Sequence, residues 1–187
     1  MAHHHDKNRY ALAVGHIAIE WNYLEHDLQQ LGNNYLTVDP DVAAHIFAFM
    51  GNVTKSEFIW YLVEKFEPDV ATRAHLDHFL KLYNRLRGNR NVVEHGVPAL
   101  TTTGAYLDEI IKIDRRGDAL PFAASQDTLD GFLKDLRLAR DYAHQIKRMI
   151  DVLADDHDEA PNPTTLKKPA MPKRLNISRN RDVERPD

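Results

Sequence analysis

The chain has 187 residues, 43% of them hydrophobic, a formal net charge of −4 and no cysteine. This length and apolar content suit one domain with its own core plus an appendage, and the lack of cysteine excludes disulfides and thiolate metal sites. No apolar run approaches the roughly 18 residues of a membrane span, and a cysteine-free chain fits a reducing compartment, so we expect a cytoplasmic protein without a membrane partner.

The charge is unevenly distributed along the chain. Residues 1–156 carry 17 Lys and Arg against 23 Asp and Glu, whereas residues 157–187 carry 7 against 5. A globular part with an acidic excess is not a basic nucleic-acid platform. Any attraction for phosphate must be local or come from the C-terminal segment, whose basic residues suit RNA and an acidic protein partner equally.

The periodicity of apolar residues predicts five helices. Steps of three and four residues mark one apolar stripe on each long helix. Asp39 before Pro40 is typical of a capped helix start, and Thr54 with Glu57 indicates a capping box. The predicted helices are, in chain order, 8–31, 40–50, 55–66, 70–95 and 127–154.

The remaining segments lack helical periodicity. Residues 101–124 predict two short strands around the turn Asp114–Asp118, although Leu107–Lys112 also fits a short helical segment. Residues 157–187 are polar and punctuated by prolines, so they cannot bury enough surface to offset ordering entropy. We therefore divide the chain into a helical domain, residues 8–156, and a disordered basic tail, residues 157–187.

The most informative segment ends the fourth helix, where Arg90, Asn91 and His95 follow within six residues. Four nearby positions share one helix face, because they are spaced by four, three and four residues. These positions are Asn84, Gly88, Asn91 and His95. Arg87 lies beside Asn91 at i,i+4, and Gly88 permits the close approach of a backbone or a phosphate. We assign Arg87, Asn84 and Gly88 to substrate binding.

The chemistry that these side chains suit is RNA cleavage. A neutral His95 can take a proton from a ribose 2′-hydroxyl. Arg90 can hold the phosphate and stabilise transition-state charge, and Asn91 orients the histidine or binds a phosphate oxygen. No metal or cofactor is needed. Arg90 lies about 140° from His95 on an ideal helix, so it reaches the same site only through its long side chain or a distorted last turn.

A purely structural interpretation stays open beside this one. Arg90 and Glu94 are four residues apart and can simply pair on the helix surface. His95-Gly96 is then no more than a helix end, with Gly96 as its left-handed terminating residue. Glu94 also brings negative charge close to the place where a phosphate would sit.

The pattern Arg90-Asn91-x-x-x-His95 at the end of a long helix resembles the signature of the HEPN superfamily, and residues 15–25 resemble the first helix of bacterial HEPN-like proteins. The resemblance covers roughly residues 8–156. It implies an all-α bundle of four to five helices, here with a small β-hairpin insertion and a disordered C-terminal tail. It also implies a homodimer in which two motifs face one cleft.

The resemblance further implies one of two functions. The first is a metal-independent endoribonuclease, in a toxin–antitoxin or phage-defence setting, with an antitoxin or other protein partner. The second is a non-catalytic module that binds RNA or protein.

Two further groups of polar residues have alternative interpretations. Glu20 and Glu25 border the apolar stripe of the first helix. Their carboxylates either hold Arg90 or His95 in place by hydrogen bonds or lie at the edge of the core with the charged group in water. His75 and His78 are three residues apart and would need a ligand from elsewhere to bind a metal. A solvated helix face is the simpler interpretation, and we predict no metal site.

Overall fold

The computed structural model of the protein describes residues 3–102, 106–155 and 161–175. In this part the chain forms five α-helices and a small antiparallel sheet, which confirms a mainly helical fold. The helices are α1 (His3–Asn33), α2 (Pro40–Ala48), α3 (Asn52–Phe66), α4 (Val70–His95) and α5 (Gln126–Asp155), and the strands are β1 (Val97–Leu100), β2 (Tyr106–Ile113) and β3 (Ala119–Ala123). None of the described helices is long and apolar enough to cross a membrane.

The core lies where α1, α4 and α5 meet. Trp21, Leu24 and Leu28 are fully buried on the predicted stripe of α1, and this stripe packs chiefly against α5. Full burial of such a side chain is worth about 1.5–3 kcal/mol. Because α4 also packs against α1 and α5, its C-terminal end is held by two long helices.

The two ends of α4 are formed differently. At the start, the side chain of Asp69 accepts a hydrogen bond of 2.6 Å from the backbone N–H of Thr72, a favourable cap. At the other end, Gly96 has φ −98° and ψ 163°, so the predicted left-handed residue is wrong. Glycine is needed there for space instead, because an added Cβ would lie 2.6 Å from the carbonyl oxygen of Val92 and would collide with Ile110.

The sheet is a three-stranded meander rather than the predicted hairpin. The strand order is β1-β2-β3, and β2 pairs with β3 around the Asp114–Asp118 turn. The helical alternative for 107–112 is therefore wrong. Sequence reasoning missed β1, because Pro98 discourages a strand assignment. As an edge strand, β1 can carry a proline, which lacks the N–H needed inside a sheet.

Residues 161–175, here called the strap, run along α4 in the same direction as the helix. Nε2 of His75 lies 2.7 Å from the carbonyl oxygen of Pro163, and Nε2 of His78 lies 2.8 Å from that of Pro169. Further along, Pro172 is buried. The expectation of disorder is therefore wrong for the strap, while residues 156–160 and 176–187 lie outside the described ones.

The strap also explains the two histidines of α4. His75 is buried, and its Nδ1 lies 2.6 Å from the hydroxyl of Tyr142, so both ring nitrogens have partners. Sequence reasoning treated this face of α4 as solvated because the strap is distant in sequence. In the described residues, no group of three His, Asp or Glu side chains is arranged to hold a metal ion.

Candidate functional site

The side chains of Arg90, Asn91 and His95 converge at the exposed C-terminal end of α4. Nη1 of Arg90 lies 3.4 Å from Oδ1 of Asn91 and 3.4 Å from Nε2 of His95. The long arginine side chain thus spans the angular separation that an ideal helix places between positions 90 and 95. His95 is exposed, whereas Arg90 is partly buried.

The contact between Arg90 and His95 limits the state of the imidazole. A guanidinium carries only donors, so in this contact Nε2 of His95 is the acceptor and its single lone pair points at Arg90. The proton of the neutral ring is then on Nδ1. In this tautomer Nε2 can act as a base toward a hydroxyl group once the guanidinium turns from Nε2 to a bound phosphate.

Glu94 forms an ion pair with Nη2 of Arg90, as the structural interpretation of the i,i+4 spacing predicted. The exposed fractions of the two side chains are 21% for Arg90 and 17% for Glu94, so the pair is partly shielded from water. It orients one edge of the guanidinium and neutralises part of its charge. A phosphate ligand of Arg90 would compete with this carboxylate.

An aromatic layer lies behind the guanidinium. The Cζ atom of Arg90 is 5.8 Å from the ring centroid of Trp21, within the range of a cation–π contact. Trp21 in turn stacks on Tyr83, with ring centroids 5.0 Å apart. Both rings are fully buried, so Arg90 rests on a rigid apolar surface. Sequence reasoning placed these aromatic residues in the core without linking them to the site.

This layer contains several buried polar atoms without a hydrogen-bond partner among the described residues. They are Nε1 of Trp21, the hydroxyl of Tyr83, Nη1 of Arg87 and Nε of Arg90. Burial raises the pKa of Tyr83 above its ordinary value, and the carboxylate of Glu25 adds to the rise. The positive charges of Arg87 and Arg90 act in the opposite direction. Tyr83 therefore stays a neutral phenol at physiological pH.

The two glutamates predicted to support the site have different positions. Glu20 accepts hydrogen bonds from Arg140 at 2.5 Å and from Arg137 at 3.0 Å. Burial opposes ionisation of Glu20, but these two arginines outweigh it and lower its pKa. Its described partners thus lie on α5, and its assignment to the support of Arg90 or His95 is wrong. Glu25 borders the aromatic layer, where its charge acts on Tyr83.

The three predicted substrate-binding residues lie at different distances from the site. Asn84 is 11 residues before His95, about 16 Å along the helix axis, and it accepts a hydrogen bond of 3.3 Å from the hydroxyl of Ser56. Gly88 is exposed, and an added Cβ would meet no atom within 4 Å. Arg87 is partly buried beside Tyr83. The structure thus brings together Arg90, Asn91 and His95, and it separates Asn84 from them.

A further residue next to the site was not singled out from the sequence. Asn89 is buried, and its side chain binds the strap twice. Nδ2 donates to the carbonyl oxygen of Lys173 at 2.8 Å, and Oδ1 accepts from the backbone N–H of Leu175 at 3.0 Å. A polar residue at a core-facing position of α4 is a signal that a buried partner exists.

Comparison of the chain with protein-family models, with curated proteins and with solved structures finds no match. The functional assignment therefore rests on the geometry of the site and on the resemblance of its motif.

Proposed function

We propose that this protein is a metal-independent endoribonuclease of HEPN type, with its active site at the end of α4. The observation that carries the proposal is the convergence of Arg90 on both Asn91 and His95 at an exposed helix end. An exposed imidazole beside a guanidinium supplies a base and a phosphate ligand, because a phosphate that draws Arg90 away frees the lone pair of Nε2. Chemistry of this kind needs no metal or cofactor.

In the proposed reaction, Nε2 of His95 takes the proton of a ribose 2′-hydroxyl. The resulting oxygen attacks the adjacent phosphorus, and the bond from phosphorus to the 5′-oxygen of the next nucleotide breaks. Arg90 stabilises the negative charge on the phosphoryl oxygens, while Asn91 orients Arg90 or binds a phosphate oxygen. The leaving 5′-oxygen takes up a proton from water, His95 later returns its proton to the solvent, and the upstream product ends in a 2′,3′-cyclic phosphate.

The proposal includes the biological setting that the resemblance implies. The protein would act in the cytoplasm, in toxin–antitoxin or phage defence, under the control of an antitoxin or other protein partner. This setting rests on the resemblance alone, and the position of the motif at the end of a long helix in a mainly helical domain supports only the resemblance.

We also propose that the protein is a homodimer. One Arg90–His95 pair supplies a single base and a single phosphate ligand, whereas two copies across a twofold axis would surround the phosphate. Light scattering at tens of micromolar protein is expected to give twice the chain mass of 21.5 kDa. A monomer at that concentration would contradict the shared cleft while leaving single-site cleavage to be measured separately.

A second candidate function is a non-catalytic module that binds RNA or protein, and the ion pair between Glu94 and Arg90 favours it. A guanidinium already engaged by a carboxylate binds phosphate less strongly than a free one. In that case Glu94 would be the residue that silences the site, and Glu94→Gln would strengthen RNA binding.

The experiment that tests the proposal is a cleavage assay on single-stranded RNA with excess metal chelator present. The parent protein is expected to cut the RNA, and the upstream products are expected to end in 2′,3′-cyclic phosphates, because the attacking oxygen belongs to the substrate. A 2′-O-methyl RNA of the same sequence is the matched control and should stay intact. Binding of the RNA without cleavage would instead support the non-catalytic module.

A further inference from the structure

Side chains of α4 hold the strap mainly by contacting the backbone of the strap. Few side chains of the strap take part in the attachment. Four residues of α4, three of which are charged or titratable, contact backbone carbonyl oxygens of the strap. These pairs are His75 with Pro163, His78 with Pro169, Arg85 with Pro172 and Asn89 with Lys173. The Arg85 bond is 3.2 Å long. The apolar anchors are Leu166 and Leu175, which pack against the core.

This mode of attachment leaves the basic side chains of the strap free. Lys167, Lys168, Lys173 and Arg174 are all exposed, and in the described residues none of them forms an ion pair or a side-chain hydrogen bond. The strap contains no acidic residue. It therefore adds four positive charges within eight residues to a molecule whose first 156 residues have an acidic excess.

The strap also ends close to the proposed active site. Its last described residues are held by Asn89, the residue directly before Arg90. Asn89 is six residues before His95, about 9 Å along the helix axis, and it points about 100° away from Arg90 around the helix. The end of the strap and Arg90 thus lie on adjacent faces of α4, whereas Asn91 and His95 point about 160° and 120° from Asn89 around the helix. Lys173 and Arg174 are within the reach of a few nucleotides of the site, while Lys167 and Lys168 lie farther back, beside the contact of Pro169 with His78.

From this placement we propose that the strap is a phosphate-binding ridge, which holds single-stranded RNA on one side of the cleaved nucleotide. The inference deepens the proposed function and rests on it. Lysine is a flexible point charge that suits phosphates without selecting a base. Because the strap backbone is already docked, RNA binding does not have to supply the ordering entropy of a disordered tail.

The neighbouring surface limits where the RNA backbone runs. A groove of about 590 Å³ lies between the strap and the first half of α5. Asp127, Lys134 and Asp135 line it on the side of α5, opposite Lys173 and Arg174. The two carboxylates disfavour a phosphate on the α5 side, so the proposed path of the RNA follows the strap side of the groove. The expected recognition is therefore electrostatic and independent of sequence.

The test compares binding of a fluorescent 2′-O-methyl oligouridine, which cannot be cleaved, over a range of salt concentrations. In the test variant, all four basic residues of the strap are changed to alanine. Its plot of log affinity against log salt is expected to be shallower by about 2–3, since each phosphate contact on a single strand contributes about 0.7. Affinity at 0.1 M salt is expected to fall at least about tenfold.

The matched control removes four positive charges elsewhere on the surface. It carries alanine at Lys65, Lys81, Lys147 and Arg148, which lie on α3, in the first half of α4 and in the second half of α5. The control is expected to keep nearly the parent slope. Thermal melts of both variants check that the fold is retained, which is expected because the strap docks through its backbone.

Three outcomes would overturn the inference. The first is a strap variant with the same salt dependence as the parent. The second is a control variant whose slope falls as much as that of the strap variant. The third is binding of polyglutamate, but not of the oligouridine, to the strap. The last result would identify an acidic protein as the partner. Failure of the proposed function is distinguishable from failure of this inference. In that case the parent would bind the oligouridine through the strap but would not cut RNA in the cleavage assay.

Discussion

Replacing His95 by alanine is expected to lower the rate of RNA cleavage by about 10²–10⁴-fold, the usual contribution of a general base. His95 is exposed at the end of α4, and its described side-chain contact is the 3.4 Å approach of Arg90. The free energy of unfolding is therefore expected to change by no more than about 1 kcal/mol. Single-turnover cleavage and thermal denaturation of the same preparations measure both quantities.

The matched control for this prediction is His16→Ala, which removes an exposed histidine from α1. It should leave the cleavage rate within a factor of two or so of the parent value, because surface substitutions away from a site are usually close to neutral. If His95→Ala cut RNA as fast as the parent, the assignment of His95 as the base would be refuted. Equal losses in both variants would indicate an unspecific effect on the folded protein rather than a role of His95 in the chemistry.

Replacing Trp21 by alanine is expected to have the largest effect on stability near the site. Trp21 is fully buried, and such truncations typically cost about 3–5 kcal/mol. This is a large part of the roughly 5–15 kcal/mol by which domains are stable. The change also removes the aromatic surface behind Arg90, so cleavage should fall even at temperatures where the variant is folded. Chemical denaturation and cleavage at 10–15 °C separate the two effects.

Two milder changes in the same aromatic layer serve as controls. Tyr83→Phe removes a buried hydroxyl that has no hydrogen-bond partner among the described residues, and loss of such a group is expected to be nearly neutral or slightly stabilising. Trp21→Phe keeps a ring beneath Arg90 and should retain most of the activity. If Trp21→Ala lost stability but kept full activity, the layer would support the fold and not the guanidinium.

The basic C-terminal segment is packed against the helical domain through the strap. Because it lacks periodic apolar residues, the C-terminal segment was expected to be disordered. Residues 161–175 are instead held by side chains of α4. Docking places its positive charges beside the helix that carries Arg90. The basic segment, which from its sequence suited RNA and an acidic protein partner equally, is thus docked on the helix that carries the proposed site.

Local pattern was enough to predict the five helices, because each long helix has its own apolar stripe and its own start or stop residue. Helix α4 is the clearest case, since Asp69 and Gly96 bound it where the pattern placed its ends. The pairing of Arg90 with Glu94 was also predictable, because residues four apart in a helix are neighbours. These features depend on contacts within a single element.

Only the tertiary structure decided the features that join distant parts of the chain. The sequence did not show that Trp21 would lie behind Arg90 or that Arg140 of α5 would pair with Glu20. It also did not show that Asn89 would bind the strap, 84 residues away. Periodicity reports which face of a helix is buried but not which neighbour buries it. The short motif at the end of α4 was therefore readable from the sequence, whereas its aromatic support and its basic flank became visible only once the helices and the strap were packed together.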